Sequence, residues 1–200
     1  MNIPSPLTAD DPSFDGYDEF VPETLPEPGA FLADHDVLTG RAHAAFHRAT
    51  RDVFAERGVY DMTFGYNLAR LNLDARHPDA GFRYAVERPD AADAVDGLDG
   101  DDPVLRAEFT PTTAFCPQSD TLSKGAFRAW NGLADRHEYA LVRVRVDDMH
   151  QRSGVLNRQL QDHETRFVES GSLPAPTPDA GFDEGVPNEA GYEREPDTPF

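Results

Sequence analysis

The sequence predicts an α+β fold: a two-layer sandwich in which a mixed sheet of about four strands carries its helices on one face. Three observations lead there. Apolar residues recur at helical spacing in three segments. They alternate with polar residues in four others. The two periods interleave in the order α-β-β-β-α-β-α, with Gly-, Pro- and Asp-rich turns between them.

The first helix is expected from a cap at Asp34 or Asp36 to about Arg57, with Val37, Ala44, Phe46, Val53 and Phe54 among its apolar positions. Gly58 is a natural stop, because glycine reaches the left-handed conformation that ends helices. Tyr60 to Asp74 then reads as extended. Phe64, Tyr66 and Leu68 alternate, and Leu71 and Leu73 alternate out of phase with them, so a bulge or break is expected near Ala69–Arg70. The run His77-Pro78-Asp79-Ala80-Gly81 signals a turn, and Phe82, Tyr84 and Val86 predict a second strand paired with the first as a hairpin.

Pro89 to Pro103 reads as an acidic loop, and Leu105, Ala107 and Phe109 as a third strand. A helix capped by Ser119 or Asp120 follows, with Leu122, Ala126, Phe127, Trp130, Leu133 and Ala134 on its apolar stripe. Trp130 and Phe127 are expected to be core residues, since aromatics at helical spacing serve packing. In Leu141–Val146 the valines point in and Arg143 and Arg145 point out. A last helix from about Gln151 carries Val155, Leu156 and Leu160, then Phe167.

Charge is distributed unevenly. The net charge is −19, of which residues 1–30 and 169–200 contribute −7 each. The same two segments hold twelve of the seventeen prolines. Low hydrophobicity with high charge and proline predicts disordered acidic tails at 1–30 and 169–200, around a single folded domain at 31–168. The acidic balance argues against nucleic acid, which a protein grips with a basic face that displaces counterions. No run is long and apolar enough for a membrane span, and the N-terminus lacks a basic-then-apolar leader. A lone cysteine forms no internal disulfide, which fits a reducing, cytoplasmic setting.

That cysteine, Cys116, sits in Thr110-Pro111-Thr112-Thr113-Ala114-Phe115-Cys116-Pro117, where a strand hands over to a helix. A thiol there meets the positive end of the helix dipole, which favours the thiolate that binds metal or attacks electrophiles. Pro117 fixes its own φ and donates no hydrogen bond, leaving the amides of Gln118, Ser119 and Asp120 to face an anion or the sulfur. One cysteine cannot complete a zinc knuckle or a four-cysteine cluster. Any cluster therefore takes its other ligands from a second copy of the chain, a protein partner or non-cysteine residues. The alternative is a small buried hydrophobe without chemistry.

Other constellations are weaker. His43 and His47, four apart on one helix face, have zinc-ligand spacing but lack the His-Glu-x-x-His pattern of a metalloprotease. The alternative is a pair of surface histidines. Asp147-Asp148-Met149-His150 could hold a divalent ion, but acids gather at helix starts on their own account. A Cys116 nucleophile with His137 or His150 as base, oriented by Asp135 or Asp147, would make a cysteine-dependent hydrolase or transferase. No glycine-rich phosphate loop is present.

From Tyr60 through Arg145 the chain resembles the metal–sulfur cluster assembly domain family, the PaaD-like and SufT-like proteins. Glu108 to Pro117 is similar to that family's Thr-x-x-x-Cys-Pro-type loop, and Leu141–Val146 to the strand that follows. Gly58-Val59-Tyr60-Asp61-Met62 is a looser echo of its first strand. The resemblance implies a cytoplasmic iron–sulfur cluster assembly or carrier factor in which Cys116 is a transient ligand for iron or a cluster. Thr110 and Thr112 would be the polar residues beside it, and a cluster-donating or recipient protein its partner. The alternative is a non-enzymatic interaction domain that keeps the fold without metal. Lys124 is the sole lysine among eighteen basic residues, and this acid-rich, lysine-poor balance resembles cytoplasmic proteins of salt-loving archaea.

Overall fold

A computed structural model describes residues 25–95, 97–98 and 102–175. The architecture is α+β. Strand β1 (Asp36–Val37) leads into helix α1 (Gly40–Arg57), which ends at Gly58 in the left-handed conformation, φ 68°. A small hairpin follows, β2 (Tyr60–Asp61) and β3 (Tyr66–Asn67), then a 3-10 helix over Leu68–Leu73. Strands β4 (Gly81–Val86) and β5 (Val104–Thr110) precede helix α2 (Ser119–Gly132), strand β6 (Leu141–Val146) and helix α3 (Ser153–Ser170).

The main sheet has the order β1-β4-β5-β6. Its first two pairings are antiparallel and the last, β5 with β6, is parallel, because α2 carries the chain back across the sheet. Phe82, Phe109 and Val146 stand in register across the sheet, as do Tyr84, Ala107 and Val144. This face packs against α1 and α2. Trp130 meets Phe54, Phe82 and Tyr84, and Phe46 closes on Tyr84 edge to face at 4.8 Å. Phe127 and Trp130 are fully buried, as expected.

Three local expectations are corrected. The stretch Tyr60–Asp74 is not a strand of the main sheet. Asp61 Oδ1 accepts from Thr63 N and Phe64 N, Gly65 has φ 69°, and the chain folds back on itself before Asn67 caps the 3-10 turn through Ala69 N. The fourth sheet strand is instead Asp36–Val37, which the sequence placed in the first helix; α1 begins only after Thr39. Arg143 and Arg145 do not point to solvent, for all six residues of β6 are buried. Helix α3 packs beside β6, with Leu156 and Leu160 in the common core, touches α2 through Phe127 and Phe167, and brings Glu164 to Arg143 and Arg145.

Asparagines close the strand edges. Asn131 of α2 donates to Val142 O and accepts from Val142 N; Asn157 of α3 does the same at Val146. Asn72 completes Phe82 on the stretch of β4 that short β1 leaves unpaired. Backbone groups that would otherwise be buried without partners, or left as a sticky edge, are thereby satisfied.

The far face of the sheet is ionic. Arg106 pairs with Glu87 and Asp93, Arg143 with Glu87 and Glu164, and Arg145 with Glu164. The segment 25–35 covers it, with Leu25 and Leu32 buried and the Phe31 ring beneath the three guanidinium groups at 4.7, 5.6 and 4.9 Å. The packed chain thus reaches back at least to Leu25, past the boundary expected at residue 31, and α3 runs on to Ser170. Residues 1–24 and 176–200, most of the two expected tails, lie outside the described residues.

Candidate functional site

The Cys116 turn is built where β5 ends and α2 begins. Thr110, the last residue of β5, pairs with Gly81; Pro111 is buried beneath the loop. Cys116 N donates to Thr113 O, and Ser119 N to Cys116 O, so the backbone turns tightly into the helix. A second turn, 147–152, fastens against this one. Asp147 N donates to Phe109 O, and Gln151 N to Ala114 O. His150 is buried between the two turns, with Nε2 at 3.2 Å from Cys116 O.

A cavity of about 270 Å³ opens between the turns, lined by Ala114 to Pro117, Asp120, His150 to Arg152 and Leu156. Cys116 is half-buried in it, and Phe115 is 69% exposed at its rim. The structure therefore brings together two sequence-predicted residues, Cys116 and His150. It does not make a catalytic pair of them. His150 Nδ1 accepts from Arg152 N while Nε2 donates to Cys116 O, so both ring nitrogens already serve the backbone and no lone pair is left for the thiol. His137, the other candidate base, likewise has Nε2 on Trp130 O and Nδ1 accepting from Tyr139 N.

Of the supporting loop, Pro117 and Asp120 line the cavity, while Thr110, Thr112, Gln118 and Ser119 do not. Gln118 reaches away to the β2–β3 hairpin, accepting from Met62 N and donating to Thr63 Oγ1. Asp120 pairs with Lys124 one turn along α2. Ser119 is fully buried at the start of the helix, and its hydroxyl has no hydrogen-bond partner among the described residues.

His43 and His47 share a helix face as their spacing predicts, with rings stacked at 5.7 Å. They are not surface residues: both are fully buried. His47 Nδ1 meets the Tyr84 hydroxyl at 2.6 Å and Nε2 meets Ala69 O at 2.8 Å, so neither nitrogen presents a free lone pair to a metal. Loss of water pushes His43 down to about 3 and His47 down to about 4, and both stay neutral at physiological pH. Among the described residues no group of three or more His, Cys, Asp or Glu is arranged to hold a metal ion. The Asp147–His150 segment is a turn, with His150 N on Asp147 O and Met149 N on Asp147 Oδ1.

Two features escape sequence reasoning. The His150 clasp joins residues 34 apart and leaves no local trace. Large apolar residues also adjoin this corner: Phe115, Met149 and Val155 are exposed. Phe115 lines the cavity, and Met149 and Val155 stand next in sequence to its lining residues His150 and Leu156. The exposure of Val155 carried a signal, since it falls off the Leu156–Leu160–Glu164 spacing that defines the inner face of α3.

Residues 12–174 match a family described as a domain of unknown function, DUF7998, and the chain belongs to that family. No curated protein and no solved structure matches it. Among the described residues no helix is long and apolar enough to cross a membrane.

Proposed function

We propose that this member of the family is a non-enzymatic assembly or carrier factor that meets a protein partner at the Cys116 corner and offers the thiol there as a shared ligand for iron or an iron–sulfur cluster. The observation that carries this reading is the half-buried thiol opening into a cavity beside an exposed aromatic, with the neighbouring imidazole tied to the backbone. An acid–base partner would be needed for turnover; a shared ligand needs only access. With one cysteine on this chain, the remaining ligands come from the partner or from a second copy.

Anaerobic reconstitution with ferrous iron and sulfide tests the reading. The full chain should develop charge-transfer absorption that Cys116→Ala abolishes; spectra identical in the two proteins would remove Cys116 as the ligand.

The exposed apolar residues around the cavity favour a second reading, an interaction domain that works without metal. In that case Cys116→Ser binds its partner normally while Phe115→Ala does not. A pull-down at high salt with both variants separates the two readings.

A further inference from the structure

We propose that the segment 25–35 is a proton-linked strap, which grips the far face of the sheet more tightly when Glu108 carries a proton and loosens when Glu108 ionises. Its polar anchor is one carboxyl group in the middle of β5. Glu108 Oε1 accepts from Gly29 N at 2.5 Å, and Oε2 accepts from Phe31 N at 3.2 Å. Arg83 adds a bond to Pro26 O, and Arg106 one to Phe31 O. Closing the strap over Glu108 leaves that residue 3% exposed.

The charge of Glu108 is poorly answered once it is covered. Its register neighbours, Arg83 on β4 and Arg145 on β6, direct their guanidinium groups elsewhere: Arg83 to Pro26 O, Arg145 to Val144 O and Glu164. Arg106, on the same strand, is held by Glu87 and Asp93. From the turn after β6 comes a like charge. A methyl group on Gly29 would stand 2.6 Å from Glu108 Oε1 and 2.7 Å from Asp147 Oδ2, so both carboxylates converge on one point beneath the strap. Asp148 adds to the same field. Burial lifts the Glu108 carboxyl above its ordinary range; the Gly29 and Phe31 amides oppose that, and Asp147 and Asp148 reinforce it.

The sign follows from linkage. The covered carboxyl holds its proton better than the uncovered one, so Glu108 favours the closed strap in acid, whereas His35 at the end of the strap, lowered by burial and by Arg106, works the other way and is common to the wild type and any Glu108 variant. Protonation also replaces a repulsion between like charges with an O–H donor that Asp147 can accept, while the strap amides keep their acceptors. A side chain at Gly29 would meet the ends of both carboxyl groups and could be housed only if they moved.

Amide hydrogen exchange on the full chain tests this, with β5 and β6 amides as the internal reference. At pH 7, Glu108→Gln should raise the protection of residues 29–33 relative to the sheet. As pH falls, wild-type strap protection should rise relative to that of Glu108→Gln, in which only His35 of the two groups still titrates. Asp147→Asn should raise wild-type protection at pH 7 in the same direction and serves if Glu108→Gln does not fold. Protection that is unchanged or lower in the folded variants, or a wild-type pH response equal to that of Glu108→Gln, would overturn the proposal.

Discussion

The side-chain amide of Asn131 sits on Val142 as a neighbouring strand would, donating to the carbonyl at 2.9 Å and accepting from the N–H at 2.8 Å. Asn157 repeats this at Val146. Two helices thus finish the ladder that β6 leaves open. Asn131→Ala would leave a buried N–H and a buried C=O without partners and should cost about 2–4 kcal/mol in denaturant unfolding. Asn131→Asp should cost at least as much, because a carboxylate cannot donate to the carbonyl. A loss under half a kcal/mol in both would mean that water or the backbone replaces the amide.

Glu164 is the hinge of the ionic face, bonded to both Arg143 and Arg145 while 1% exposed. Its removal strands buried guanidinium charge. Glu164→Ala should destabilise the chain by about 3–5 kcal/mol, far more than loss of an exposed pair such as Arg136–Glu56. Comparable unfolding midpoints for Glu164→Ala and Glu56→Ala would refute this ordering.

The buried histidine pair makes the fold sensitive to acid. In the unfolded chain both titrate near 6.5, whereas in the fold they hold out to about 3 and about 4. Protons are therefore taken up by the unfolded state alone as pH falls below 6.5. Their contribution is intact above that pH and lost on the way down, at about 1.4 kcal/mol per pH unit for each histidine. His43→Phe, which keeps a ring against His47 and Tyr84, should remove about half of this slope between pH 6 and 4.5. Equal slopes in the two proteins would count against it.

Cys116 should react with a soluble thiol reagent in the native chain, one equivalent per molecule, because its cavity is open. The rate should stay below that of the unfolded chain, since the thiol is half-buried. A thiol that reacts only after denaturant is added would close the cavity and with it the proposed role.

Much of the fold was legible in the chain. Strong periodicity located α1, α2, α3, β4, β5 and β6, and the glycine at 58 ended α1 where expected. The errors cluster where periodicity is short or a polar residue is buried. Alternation over Phe64, Tyr66 and Leu68 mimics a strand, yet Asp61, Gly65 and Asn67 fold the segment into a hairpin and a 3-10 turn through side-chain-to-backbone bonds. Two residues of β1 carry too little pattern to read. At the site, the sequence located the cysteine corner but not its lining. The 147–152 turn that completes the cavity comes from a strand whose position beside β5 is fixed only by the sheet order.

Sequence alone determined the α+β class, the apolar face of α2, and the presence of a single thiol at a strand-to-helix corner, because these depend on local period and residue identity. Tertiary structure decided that Arg143 and Arg145 are buried rather than solvated, that His43 and His47 are core rather than surface, and that His150 clasps the cysteine turn. Each of these depends on a partner far away in the chain: Glu164, Tyr84 and the Cys116 carbonyl. A polar side chain is kept inside by such a partner, and no local pattern records where that partner will be.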